Sequence, residues 1–157
     1  MSEKLHLGCG RDKRDGFLNI DIAEEVNPDK AWDLEKGLPF LDDNSVDYIL
    51  SNHTLEHLTT KGYWNLLEEM YRVSKDGARW ELCLPFDNPE TRANSEHVRT
   101  FSYHSFSNYC ANSDTFRDYY RIKLERFRDK PTKVTRLFFS IFSLLKYEIR
   151  YKFEVVK

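Results

Sequence analysis

Cysteine is scarce and scattered in this chain. Cys9, Cys83 and Cys110 are odd in number and far apart, with no CxxC pair and no neighbouring ligand cluster. They are therefore expected as reduced thiols of a cytoplasmic protein, without a disulfide framework and without a metal site. Long apolar runs are missing too. The longest, Leu137 to Leu145, is broken by Ser140 and Ser143 and falls short of the ~20 residues that a membrane span needs. No apolar leader precedes the first strand pattern, since the charged Met1-Ser2-Glu3-Lys4 runs directly into it. Charge of one sign is not in excess: the net charge of −2 points to no partner by itself. Repeats and low-complexity segments are absent, and 157 residues with 40% apolar and 32% charged side chains describe one globular domain, 1–157, with a core of its own.

Glycine is also sparse, six in the whole chain, yet two of the six stand one residue apart in Lys4-Leu5-His6-Leu7-Gly8-Cys9-Gly10. The alternation puts Leu5 and Leu7 on one face of a short strand, and the glycines let the backbone turn sharply where a ligand can approach. A strand ending in GxG suggests a ligand site at the carboxyl edge of a parallel sheet, although ordinary turns also use such pairs.

Beyond the glycines, 11–16 is a charged loop, and Phe17 to Ile22 reads as a second strand with an acid, Asp21, near its end. A dinucleotide-binding fold places its ribose-gripping acid about 20 residues past the glycines, across a whole helix. Here the gap is roughly half that, so the first crossover helix is missing or reduced to a turn. Residues 23–30 are again too short for a helix, and Ala31 to Leu34 is expected as a third strand. Val46 to Leu50 follows as a buried strand, then a helix from Lys61 to Ser74 stopped by Asp76-Gly77, then a fifth strand, Trp80 to Leu84, broken by Pro85. Asp87 to Thr100 is read as a mobile loop or lid, 103–110 as a short helix, 119–127 as a strand, 134–146 as an apolar helix and 147–156 as a final strand. Such an order gives a mixed α/β sheet whose last strand need not run parallel to the others.

Taken together, Leu5-His6-Leu7-Gly8-Cys9-Gly10, Asn19-Ile20-Asp21, Leu38-Pro39-Phe40 with Ser45 to Leu50, Leu55-Glu56-His57-Leu58 and the helix and strand through Pro85 resemble a class I S-adenosylmethionine-dependent methyltransferase of the small type-11-like kind. The resemblance covers residues 5 to 86. It implies a compact Rossmann-like methyltransferase fold, mostly parallel with an antiparallel last strand and with shortened first crossover helices. It also implies S-adenosylmethionine as cofactor and S-adenosylhomocysteine as product. By the same resemblance Gly8, Cys9 and Gly10 lie along the methionine part of the cofactor and Asp21 and Ile22 at its ribose. Asp33 and Leu34 lie beside the adenine, and Ser51 to Thr54, with Asn52 and His53 among them, form the floor under the sulfonium. Three departures stand out: His6 replaces the usual acid before the glycines, Asp12 replaces a third glycine, and the helix whose positive end faces the methionyl carboxylate is gone. Loop backbone amides and one of Arg11, Lys13 or Arg14 are expected to take over that charge.

Methyl transfer to a hydroxyl calls for a base, and His53, His57, His97 and His104 are the candidates. His53, His57 and His97 are read as catalytic, with His97 and Arg99 as substrate contacts because His97-Val98-Arg99-Thr100-Phe101 resembles a segment that closes over the substrate in relatives; the alternative is an inert surface loop. For Glu56 and His57 the plain alternative is that they cap and brace the next helix. The fourth strand ends without the proline pair and aromatic of many base-methylating enzymes, which favours an oxygen nucleophile on a small molecule, by analogy a glycan or lipid-linked metabolite. The surplus of Lys and Arg after Phe116 reads as a solvated face and only weakly favours nucleic acid. The missing crossover helices leave one face of the first strands without its usual cover. Segment 134–146 or a second copy in a homodimer is expected to bury that face, and membrane-surface contact through residues 133–146 is a further reading. The rival to an enzyme is a non-catalytic S-adenosylmethionine-binding or scaffold protein. A nicotinamide dehydrogenase ranks below both, because Gly8, Gly10 and Gly16 do not give GxGxxG.

Overall fold

The structure, a computed structural model, describes residues 3–102, 104–106, 124–126 and 148–157. The described strands are β1 (Glu3–Leu7), β2 (Leu18–Asp21), β3 (Lys30–Ala31), β4 (Val46–Asn52), β5 (Ser74–Pro85), β6 (Leu124–Arg126) and β7 (Glu148–Val155), with helices α1 (Thr60–Val73) and α2 (Pro89–Ala93). They form one sheet in the order β3-β2-β1-β4-β5-β7-β6. The first five strands in that order run parallel, and β7 is antiparallel to both β5 and β6. The expected fold is therefore observed. So is the loss of the first crossover helices: β1 reaches β2 through turns, and only single 3-10 turns, Glu24–Val26 and Leu34–Lys36, lie between β2 and β4.

The sheet is two-faced because its strands alternate. Register places Leu5, Leu18, Ile49 and Trp80 across one face and Leu7, Ile20, Ser51 and Leu82 in the next row, continued by Tyr151 and Phe153 of β7. All but the half-buried Leu18 are buried. This is the face that carries the core, together with Tyr63, Leu66, Leu67, Met70 and Val73 of α1. The opposite face carries Lys4, His6, Asn19, Tyr48, Glu81 and Lys152. This is the face expected to lack its usual cover, and these residues make it largely polar. Tyr48 donates to Glu81 at 2.8 Å, Lys152 pairs with Glu81 at 3.6 Å, and Phe17 stands edge-on to Tyr48 with ring centroids 5.8 Å apart. On the same face His6 and Asn19 are buried, at 1% and 3% exposure, and the segment 134–146 expected to cover it lies outside the described residues.

Both ends of α1 are fixed by side chains. The Thr59 hydroxyl accepts from Gly62 N at 3.1 Å, and Glu35 accepts from Thr59 N at 2.6 Å, tying the helix start to the 3-10 turn. At the other end Ser74 Oγ donates to Met70 O at 2.7 Å and accepts from Trp80 Nε1 at 2.9 Å. The helix thus stops at Val73, and Asp76-Gly77 belongs to β5 instead of ending the helix. Register jumps there from Val46↔Ser74 to Tyr48↔Arg79, a bulge that Gly77 turns with φ 75°. The third strand is Lys30–Ala31, not Ala31 to Leu34, because Asp33 accepts from Glu35 N at 3.0 Å and caps a 3-10 turn there.

The segment 87–100, expected as a mobile loop or lid, is pinned. Asn88 and Thr91 form a capping box at the start of α2, Asp87 holds Arg92 through two 2.6 Å contacts and Thr100 at 2.7 Å, and Val98 N donates to Glu56 O at 2.8 Å. Arg92 and Thr100 hold the Asp87 carboxyl down at about 2. Residues 104–106 form a turn, and 124–126 and 148–155 are strand as expected. The rest of the expected helix at 103–110, the strand at 119–127 and the helix and membrane contact at 133–146 lie outside the described residues.

Candidate functional site

At the carboxyl end of β1 the backbone turns twice within three residues. Gly8 has φ 65° and Gly10 φ 49°, both in the left-handed region that side chains disfavour. Gly8 N and Cys9 N both donate to Ile20 O, at 2.9 and 3.1 Å, so the loop is laced to β2. No Cβ fits at Gly8. One placed there would meet Thr54, with Cγ2 at 2.6 Å and Cβ at 2.8 Å, and Thr54 Oγ1 is itself 3.2 Å from both Leu7 O and Asn52 O. At the end of β2, Asp21 accepts from Gly10 N at 2.7 Å through Oδ2 and from Ala23 N at 2.9 Å through Oδ1. Each oxygen keeps a further lone pair for a ligand.

These elements surround one cavity of about 540 Å3, within the range of roughly 300–1,000 Å3 usual for small-molecule sites. One wall is Gly8, Cys9, Gly10 and Asp12, a second is Asp21, Ile22, Trp32, Asp33 and Leu34, and a third is Asn52, His53, Thr54, His57 and Leu58. All nine residues expected at the cofactor line it; Ser51 does not, being wholly buried in β4. Ile22 is 70% exposed, an apolar side chain left open at a rim where a flat heterocycle could cover it. Trp32 and the clamp at Thr54 were not singled out from the sequence, though Trp32 stands next to the acid that was. Trp32 Nε1 donates to Gly37 O at 2.8 Å, which fixes the indole plane. Burial and the neighbouring Asp21 raise the Cys9 thiol, keeping it protonated and unreactive.

The third wall ends in histidines. His53 adopts φ 51°, and its ring bridges two carboxylates, with Nδ1 3.1 Å from Glu56 Oε1 and Nε2 3.0 Å from Glu148 Oε1. The hydrogen bonds from His53 and Cys83 lower the Glu148 carboxyl, while burial and Glu148 push the Cys83 thiol up to about 11. His57 lines the cavity beside His53. Neither Glu56 nor His57 caps α1, a role that Thr59 fills. His97 and Arg99 are placed outside the cavity wall. His97 packs edge-on against His57, ring centroids 5.2 Å apart. Arg99 Nη1 donates to Leu55 O at 2.9 Å and Leu58 O at 2.8 Å, and its guanidinium sits 4.3 Å over the Tyr63 ring. It braces the turn behind the site. Arg99→Ala strips the donor from two carbonyls of largely buried residues, at about 1–3 kcal/mol each. A thermal melt should fall by about 4–24 °C, with cofactor affinity measured on the folded variant unchanged.

Of the three cations expected near the methionyl carboxylate, Lys13 pairs with Asp29 at 2.7 Å and Arg14 with Asp12 at 2.6 Å. Arg11 is exposed and makes no ion pair with a described residue.

A parallel sheet with a ligand cavity outside the carboxyl ends of β1, β2 and β4, completed by an antiparallel final pair, defines the class I methyltransferase architecture. Comparison with known proteins agrees. Residues 16–80 match the model of a methyltransferase domain. Among solved structures, a SAM-dependent methyltransferase from Archaeoglobus fulgidus superposes with a TM-score of 0.63 at 18% identity, covering 99% of this chain and 86% of that one. The methyltransferase in complex with the Haloferax volcanii Trm112 methyltransferase activator gives a TM-score of 0.62 at 15% identity over 99% and 83%. The Burkholderia thailandensis 1,6-didemethyltoxoflavin-N1-methyltransferase, solved with its 1,6-didemethyltoxoflavin and S-adenosylhomocysteine, gives 0.61 at 12% over 99% and 72%. No curated protein sequence matches significantly. The chain thus has the fold of the class I methyltransferases, and its residues 16–80 match a methyltransferase domain. Among the described residues no helix is long and apolar enough to cross a membrane.

Proposed function

We propose that this domain binds S-adenosylmethionine in the cavity and transfers its methyl group to an oxygen of a small acceptor, with a hydroxylated glycan or lipid-linked metabolite as the substrate class. The observation that carries the reading is the division of one cavity into a glycine and carboxylate end and a histidine end. At the first end, Gly8 and Gly10 admit close backbone approach, Asp21 offers two lone pairs to a ribose diol, and Ile22, Trp32 and Leu34 offer apolar area to an adenine beside Asp33. Arg11 is the cation left to meet the methionyl carboxylate. When bound, the cofactor supplies an electrophilic methyl on a sulfonium, displaced by the acceptor in line. The protein's share is alignment, exclusion of water and handling of the acceptor's proton.

At the histidine end His53 and His57 stand where an acceptor oxygen would lie. A carbonyl can only accept, so His57 Nδ1, 3.1 Å from Glu96 O, carries a proton and Nε2 keeps its lone pair. His53 beside it has a carboxylate at each ring nitrogen, Glu56 at Nδ1 and Glu148 at Nε2. The test is calorimetric titration with S-adenosylmethionine, S-adenosylhomocysteine and NAD, followed by assay of S-adenosylhomocysteine release with sugar nucleotides and polyprenyl-linked sugars. Binding of the first two ligands without NAD, and release driven by a hydroxylated acceptor, is expected. Preference for NAD or indifference to all three would overturn the reading, and binding without turnover on any acceptor would favour a non-catalytic cofactor-binding protein.

A further inference from the structure

Glu56 is the one carboxylate among the described residues with no exposed surface. Its Oε1 meets His53, but Oε2 has no hydrogen-bond partner. A carboxylate so placed costs several kcal/mol unless a cation compensates it. Beside it stand two imidazoles oriented from behind. His57 Nδ1 lies 3.1 Å from Glu96 O, and His97 Nδ1 lies 3.1 Å from Thr91 O. Both partners are backbone carbonyls, so each Nδ1 is the N–H and each Nε2 holds a lone pair. Backbone acceptors fix metal-ligating histidines in just this way. His57 Nε2 is 4.0 Å from Glu56 Oε1, and one ligand atom from each of the three residues lies within 4.8 Å of the others.

We propose that Glu56, His57 and His97 form a binding site for a divalent transition metal at the histidine end of the cavity. Two imidazoles and one carboxylate suit zinc and its first-row neighbours better than magnesium or calcium, which prefer oxygen ligands. Bond lengths near 2.1 Å bring tetrahedral ligands to about 3.4 Å from one another, so the three close in on binding. The exposed His57 ring has room to move. His97 Nε2 now accepts from Asn94 Nδ2 at 3.1 Å, with the amide oriented by Asn94 Oδ1 on Glu96 N. The metal takes that lone pair and leaves the exposed amide to water. Oε1, the oxygen that His57 Nε2 approaches, also meets His53, so the metal shares Oε1 with that ring or takes the unpartnered Oε2 as the carboxylate turns. A second cluster, His53, Cys83 and Glu148, is satisfied internally, with Cys83 Sγ 3.4 Å from Glu148 Oε2 and His53 Nε2 3.0 Å from Glu148 Oε1. Its thiol is protonated, and it lacks the unpartnered oxygen.

Three protein ligands leave a coordination position open, the pattern of sites that receive a substrate oxygen. On the methyl-transfer reading, and only there, this gives the acceptor hydroxyl its anchor: the cation in place of the bare His57 ring. Metal binding itself does not depend on that reading. The test is titration of chelator-stripped protein with zinc chloride and, separately, magnesium chloride, with S-adenosylmethionine titrated into the same samples. Cobalt(II) added in place of zinc reports tetrahedral ligation through its visible absorption. One zinc per chain is expected, little response to magnesium, and about 100-fold or more weakening by His57→Ala and by His97→Ala, with the cobalt band lost in both. Cys83→Ser should leave zinc affinity unchanged, and Glu56→Gln serves as a third probe if either histidine variant melts early. No zinc binding, zinc binding that survives both histidine variants, or loss through Cys83→Ser would overturn the proposal. Cofactor binding without zinc binding ends this inference and spares the methyltransferase reading; zinc binding without cofactor binding does the reverse.

Discussion

Gly8→Ala is expected to lower the stability of the domain by about 2–5 kcal/mol, the sum of a left-handed non-glycine residue at about 1–2 kcal/mol and an overpacked contact at about 1–3 kcal/mol. The contact is severe because Thr54 cannot yield. Its hydroxyl is held between Leu7 O and Asn52 O, and its Cβ, at 2.8 Å from the added atom, is fixed directly to the backbone of the turn that carries His53. The melting temperature should fall by about 5–20 °C, and cofactor binding should be lost because the two turns that line the cavity are forced apart. Two controls separate the causes. Gly10→Ala meets no atom within 4 Å but keeps φ at 49°, so it should show the conformational cost alone. Adding Thr54→Ala to Gly8→Ala removes Oγ1 and Cγ2 but not Cβ, and should recover part of the loss. A Gly8→Ala protein as stable as the parent would mean that the two turns are not packed as described.

Asp21→Ala should weaken S-adenosylmethionine binding by about 100- to 10,000-fold. A hydrogen bond to a charged group contributes about 1.5–3 kcal/mol, two are expected at the ribose, and each 1.4 kcal/mol is a factor of ten. The same substitution removes the acceptor for Gly10 N and Ala23 N, so some stability goes with it, and affinity must be compared well below the melting temperature of the variant. Asp21→Asn is the sharper probe. It keeps the shape but turns one acceptor into a donor, which must face either a backbone N–H or the ribose. Unchanged affinity in both variants would place the cofactor elsewhere.

The glycine turn and Asp21 were legible because local rules act on consecutive residues: alternation, a missing Cβ, an acid at a strand end. So was the loss of the first crossover helices, since the spacing between Gly10 and Asp21 leaves no room for one. Errors arose where a side chain from elsewhere decides. Ser74, not Gly77, ends α1, because its hydroxyl sits between Met70 O and the Trp80 indole. Asp33 caps a turn and cuts β3 short. Arg99 was read as a substrate contact from the resemblance of 97–101 to a segment that closes over the substrate in relatives; its hydrogen bonds to Leu55 O and Leu58 O need the fold to be seen. The polar character of the open sheet face was in plain view in the alternation of Leu5, His6 and Leu7. The pairing of Glu56 and His57 with His97 was out of reach, forty residues apart and brought together by the Glu56 to Val98 backbone hydrogen bond.

The place of β7 governs the order in which this molecule can be completed. β5 is paired on one side with β4 and on the other with β7, which begins at Glu148, more than sixty residues after β5 ends. During synthesis β1 to β5 can assemble with α1 while the far edge of β5 still offers its backbone N–H and C=O groups, with the apolar Trp80, Leu82 and Leu84 along the same strand. That edge is a template for a second nascent chain until residues 148–155 arrive to close it. The domain therefore closes its own seam with a strand made more than sixty residues later, and a ribosome that stalls in between releases a molecule with a nearly finished pocket and an open seam.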